Sequence, residues 1–316
     1  MQITSEVIAH SKIQDSPVKT EILTFEWTYP RIIHSEFMTH RSFTRNSASS
    51  RAIPINKMIE HIRENTAHPA SWGSNKPGMQ AGEECFNLIN GHTREDWWNM
   101  ACEIMIHYAE GYYKNGYHKQ IGNRLIEPFT HMKTVVTATT YDNFFWLRFD
   151  EAADPTIHLL AAVALASYKD SQAIELKHGD WHTPYYKNGF WRDSGNGTDV
   201  YGNSLATALK ISSSCCAQVS YRKNDDSEEK AEDIYGKLIN GSKVHASPFE
   251  HQATPMQYPT LQSCQIKNDF ELFDGWVDGV THITKNGDFC SGNFKHWIQH
   301  RQLIVGHQCE EFDYNQ

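Results

Sequence analysis

The chain has 316 residues, 39% hydrophobic, 12% aromatic and 21% charged, with a formal net charge of -9 and a pI near 6.0. That length supports one large or two modest domains around a real core, and the acidic balance excludes a general nucleic-acid-binding surface. A small anionic ligand held by a local arginine cluster stays compatible with it.

Seven cysteines without a C-x-x-C pair read as buried or free thiols of a reducing compartment. No apolar run resembles a signal peptide or approaches a membrane span, so a cytoplasmic protein without membrane contact is expected. Ile3–His10 is a strand candidate. Glu21–Tyr29 alternates cleanly, with Leu23, Phe25, Trp27 and Tyr29 on one face, which predicts a half-buried strand closed by Pro30. Arg31–Met38 reads as a short helical segment leading into a polar stretch.

Residues 39–51 carry three guanidiniums, an imidazole and a run of hydroxyls with hardly an apolar side chain. No helix of that composition has a face to bury, so an ordered polar loop is expected. Hydroxyls, backbone N–H groups and planar guanidiniums suit phosphate oxygens. A solvated basic loop fits the composition equally well.

After Pro54, the spacing of Ile55, Met58, Ile59 and Ile62 predicts a helix. Residues 67–84 read as a long loop. Arg94–Tyr113 reads as a helix with Trp97, Ala101, Ile104, Met105 and Tyr108 along its buried side, stopped between Gly111 and Gly116. Asp154-Pro155 is an N-cap and first-turn pair opening a helix that buries Ile157, Leu160, Ala161, Ala164 and Leu165. Arg124 and Arg148 punctuate apolar segments, and by themselves read as surface ion-pair partners. The Gly- and Asn-rich stretch 179–204 reads as a flap or linker. Glu228–Leu238 predicts an amphipathic helix ending at Asn240-Gly241. In His245–His251 the Pro and the spacing argue against a metal site, and none is expected.

The spacing His-Arg-x-x-Thr-x-Asn-x-x-Ser-x-Arg over 40–51 resembles the signature loop of the flavin-dependent thymidylate synthases. Thr39 stands where that family has its first Arg, and Ser47 where it has an acid. Three further segments resemble family motifs: Arg124 with Pro128, the run Asn143–Arg148, and His245–His251. Cys216–Tyr221 resembles the family's Ala-Arg-Val-Ser segment, with Gln218 for Arg. The last two lie after the loop here and before it in the family, so the chain reads as circularly permuted. Gly292–Arg301 resembles a second copy of the segment ending at His40-Arg41.

The resemblance implies an α+β fold, a mainly antiparallel twisted sheet flanked by helices. Residues 1–178 would form a nucleotide-binding lobe with a helical insertion, and 205–316 a permuted flavin-binding segment completing the same fold. It implies transfer of a one-carbon unit to C5 of dUMP, with FAD as cofactor and NADPH and methylenetetrahydrofolate as co-substrates. The deoxypyrimidine monophosphate would meet Glu36, Ser47, Ser49, Ser50, Arg51, Arg124 and Arg148, with Arg148 the catalytic group. His40, Arg41, Asn143, Ser220, His245, Ser247 and Glu250 would line the flavin, in a homo-oligomer. Hydroxymethylation of dUMP or dCMP, and a non-catalytic nucleotide or flavin binder, are the alternatives. No cysteine sits in a recognisable nucleophile context, so no enzyme thiol is expected to act.

Overall fold

The computed structural model describes residues 3–16, 19–220, 224–257, 277–309 and 311–314. The first two strands, β1 (Thr4–Ile13) and β2 (Glu21–Pro30), pair antiparallel. A 3-10 turn at Arg31–Ile33 and the one-turn helix α1 (His34–Phe37) lead to β3 (Thr44–Ser47). Three helices come next, α2 (Ile55–Glu64), α3 (Arg94–Lys114) and α4 (Lys119–Ile126), before β4 (His131–Ala138) returns to pair with both β2 and β3. Helices α5 (Asp142–Arg148) and α6 (Pro155–Asp170) then lead to β5 (Ile174–Leu176). The resulting sheet has the order β3-β4-β2-β1-β5 and is antiparallel except at β1–β5.

The alternation of β2 places Leu23, Phe25, Trp27 and Tyr29 in one core with Phe144 of α5 and Ile157, Leu160, Ala161 and Ala164 of α6. Asp154 caps α6 through Oδ1, which accepts from the N–H groups of Thr156 and Ile157. The opposite face of β2 is buried too, with Ile22 and Thr24 fully covered. A half-buried strand was expected, but a second sheet lies over this face.

That second sheet comes from β6 (Trp181–His182), β7 (Phe190–Trp191), β8 (Ala253–Pro255) and, near the C-terminal end, β12 (Trp297–Gln299), in the order β12-β8-β6-β7. Between β7 and β8 run α7 (Leu205–Ala217) and α8 (Glu228–Ile239). Before β12, the strands β9 (His282–Ile283), β10 (Phe289–Ser291) and β11 (Phe294–Lys295) form a small third sheet. Residues 179–204, expected as a flap or linker, bury Trp181, Tyr186 and Trp191. Gly189, at φ +88, lets this hairpin touch β1, since a Cβ there would sit 2.8 Å from the Cβ of Ala9. Its glycines mark turns; its aromatics are anchors.

Between the sheets an apolar cluster of Ile13, Ile22, Leu176, Ala253 and Trp297 lies beside a chain of polar contacts. Ser11 bonds His182 Nδ1, His182 Nε2 bonds Thr24, Thr24 bonds Thr137, and Thr137 bonds Nδ1 of His251. His182 and His251 are completely buried, and desolvation lowers each imidazole to a pKa of about 3.

Two sequence expectations are corrected. Residues 44–47 are an edge strand rather than loop, because a strand paired on one side needs no apolar face; Thr44 and Ser47 lie opposite Thr137 and Thr134. Helix α3 ends at Lys114, within the expected stop between Gly111 and Gly116, but it buries Cys102, Ile106 and Ala109, while Trp97, Ile104 and Tyr108 face outward. Both candidate stripes have helical spacing, and packing against α2 and α4 selected the smaller side chains.

Candidate functional site

The segment 39–53 organises the site, and its two ends are held by residues far away in sequence. At the first end, Arg148 at the close of α5 donates through Nε to Nε2 of His40 at 3.0 Å, and through Nη2 to Oγ1 of Thr39 at 3.4 Å. Burial, then the guanidiniums of Arg148 and Arg45, lower the His40 pKa to about 4. The ring is therefore neutral, accepts at Nε2 and carries its proton on Nδ1. Edge-to-face contact with Phe144 of the same helix, centroids 5.1 Å apart, fixes the ring plane. Glu36 lies within electrostatic reach; desolvation first, then Asp154, raises its pKa, while Arg148 opposes the rise.

At the second end, Asn123 of α4 donates from Nδ2 to the carbonyls of Ser50 (2.6 Å) and Ile53 (2.9 Å). The next residue of the same helix, Arg124, is exposed. The Ser49 N–H donates to Ser220 Oγ at 2.8 Å, tying the turn to the segment after α7. Ser47 accepts from Thr134 Oγ1 at 2.9 Å, and Thr134 in turn bonds Tyr29.

Between the ends, Arg45 donates to the His40 carbonyl at 2.7 Å. The 3-10 turn Ser247–Glu250 lies alongside β3, and Gln299 Nε2 donates to the Glu250 carbonyl at 3.1 Å. Glu250 pairs with Arg301. The candidate residues at 40–41, 47–51, 148, 220 and 247–250 thus border one strand. Asn143 and His245 are exposed, and Ser50 is turned inward to line a cavity of about 260 Å³ with Arg31, His61 and His131. That cavity contains none of the other assigned residues.

The arginines divide sharply. Among the described residues Arg31, Arg63, Arg94, Arg192 and Arg301 each form an ion pair with a carboxylate. Arg41, Arg45, Arg51, Arg124 and Arg148 form none, and all belong to the 39–53 segment or to a helix bound to it. Arg41, Arg51 and Arg124 are exposed and make no side-chain bond among the described residues. Arg124 and Arg148, read more plainly as surface ion-pair partners, have no carboxylate partner among the described residues. On a chain of net charge -9, guanidiniums without a carboxylate partner keep their charge available to an anion.

Sequence reasoning missed Asn123, whose role depends on burial, and left Arg45 and Arg301 unassigned. His300 resembles His40 in being buried, lowered by desolvation to about 4 and edge-on to a Phe, here Phe249. Its chain context differs: His300-Arg301 comes directly off β12, whereas His40-Arg41 comes after the helical segment 31–37. Tyr221 and Cys264 lie outside the described residues. Among those described, no group of three or more His, Cys, Asp or Glu could hold a metal ion, and no helix is long and apolar enough to cross a membrane.

No protein-family model and no curated protein sequence matches the chain. Among solved structures, the UMP/dUMP methylase PolB from Streptomyces cacaoi bound with 5-Br UMP gives a TM-score of 0.41 at 15% identity, covering 54% of this chain and 89% of that one. The same methylase bound with 5-Br dUMP gives 0.40 at 13% identity, covering 54% and 90%. The functional reading rests on the site's own chemistry.

Proposed function

We propose that this chain transfers a one-carbon unit from methylenetetrahydrofolate to C5 of dUMP, with FAD and NADPH, and so forms dTMP. The observation that supports it is the set of arginines, without carboxylate partners among the described residues, that lie in 39–53 or in a helix hydrogen-bonded to it. Ser49 and Arg51 would take the 5′-phosphate, and Arg124 would add a second charge there. Arg148 has Nε and Nη2 engaged with His40 and Thr39, leaving the Nη1 edge for the pyrimidine. A guanidinium so held stabilises negative charge developing at N3 and O4 when the ring is activated. One preorganised donor of this kind contributes roughly 3 kcal/mol.

Bound FAD supplies the redox capacity that side chains lack. Around it His40 would donate from Nδ1, and Arg41, Asn143, Ser220, His245, Ser247 and Glu250 would contribute polar contacts. The order of these segments, with 220 and 245–250 after the loop, fits a circularly permuted arrangement.

Mass spectrometry of dUMP and dCMP incubated with the purified protein, methylenetetrahydrofolate and NADPH tests the reading, with dTMP the expected product. A hydroxymethylated nucleotide would change the assigned reaction. Flavin and nucleotide binding without any product would make the chain a binder.

A further inference from the structure

Helix α3 is apolar on two faces. Cys102, Ile106 and Ala109 face the core, while Trp97, Met100, Ile104, Tyr108 and Tyr112 are 38%, 45%, 52%, 56% and 40% exposed. At about 100° per residue these five fall within roughly 60° of one line along the helix. That line passes close to Gly111, and Arg94, at the first turn, is the charged side chain at its edge. Large aromatic side chains carry roughly 150–250 Å² each, so the stripe leaves on the order of 500 Å² of mostly apolar surface open. Phe86, Leu88 and Ile89, 75%, 63% and 40% exposed, lie in the preceding loop. Arg94 stands 4.7 Å over the Phe86 ring, and the His92 and Trp97 rings are 6.2 Å apart, so this loop continues the patch. Monomers rarely expose more than a few hundred Å² in one apolar patch. A standard interface buries about 800 Å² per partner.

The two ends of the stripe differ in shape. Trp97 projects at the N-terminal end. At the C-terminal end Tyr108, Gly111, Tyr112 and Tyr117 line a groove with His107, Lys114 and Asn115 at its polar rim, and a Cβ placed on Gly111 would meet nothing within 4 Å. A mid-helix glycine costs about 1 kcal/mol relative to alanine, and nothing in this chain's own packing requires one at 111.

We propose that a second copy of this chain covers the stripe, its α3 lying antiparallel across a twofold axis at Ile104. Residues 97 and 111 are equidistant from 104, roughly 10 Å along the helix in each direction. Each Trp97 then seats over the partner's Gly111, between its Tyr108 and Tyr112, and Ile104 meets its own symmetry mate. One self-complementary patch serves both subunits.

Sedimentation of the full chain at micromolar concentration should give the mass of a dimer or a multiple of it. Ile104→Glu and Ile104→Lys, each placing like charges face to face at the axis, should each halve that mass with unchanged circular dichroism. An equimolar mixture of the two should restore it. Gly111→Leu, which fills the receiving groove without touching the core, should weaken association at least tenfold. A monomeric wild type, or an Ile104→Glu chain of unchanged mass, overturns the proposal. So does a mixture that stays dissociated.

Discussion

Nε of Arg148 and Nε2 of His40 meet at 3.0 Å although 108 residues separate them in the chain. The contact fixes the tautomer of the imidazole and the direction of the guanidinium together. It joins the first end of the 39–53 segment to α5, so that a change in either residue alters the presentation of the other.

Arg148→Lys should therefore do more than move a charge. Lysine lacks the planar fork that reaches His40 and Thr39 while keeping an edge free. We expect dTMP formation to fall about 100-fold or more with the fold intact, read as kcat with saturating dUMP and checked by circular dichroism. Turnover within a few-fold of wild type would refute the assigned role.

The cysteines should be dispensable. Burial pushes the Cys215 thiol up to about 12 and raises that of Cys216 well above its ordinary value, so neither is a thiolate at neutral pH. Cys215→Ala and Cys216→Ala should retain product formation within a few-fold, apart from about 1–3 kcal/mol of lost packing. Abolished turnover with flavin still bound would point to a thiol mechanism.

Stability should fall with acidification, and the sign comes from His182 and His251. Their folded pKa of about 3 lies below the unfolded value near 6.5. Between these values the unfolded chain binds more protons than the folded one, so stability is full above pH 6.5 and declines toward pH 3. Burial lowers His40, His131 and His300 to about 4, in the same direction. Urea unfolding at about pH 7.5 and about pH 5.5 should differ by on the order of 2–3 kcal/mol from the first pair alone. Equal stability at both pH values would mean the buried hydrogen-bonded chain is not maintained.

The α6 cap gives a local test. Asp154→Ala removes the acceptor for two backbone N–H groups and should cost about 1 kcal/mol, whereas Asp154→Asn should cost much less. Thermal melts of the two variants distinguish loss of the cap from loss of the charge beside Glu36.

How much of the fold and site was legible in the chain varies with the range of the interaction. The alternation of β2, the α2 stripe, the Asp154 cap and the Asn240-Gly241 stop are local, and the chain's own periodicity determined them. The polar character of residues 39–51 and their three guanidiniums, suited to an anion, were equally present in composition. Tertiary structure alone decided which of two helically spaced stripes on α3 faces the core, because periodicity gives the angle between side chains and not the direction of the partner helix. It also turned residues 44–47 into an edge strand, since their hydrogen bonds are made to β4, some 90 residues away. Ion pairing was undecidable in the same way: a guanidinium reads identically in sequence whether or not a carboxylate from another segment arrives beside it. Only folding left Arg41, Arg51, Arg124 and Arg148 without one among the described residues.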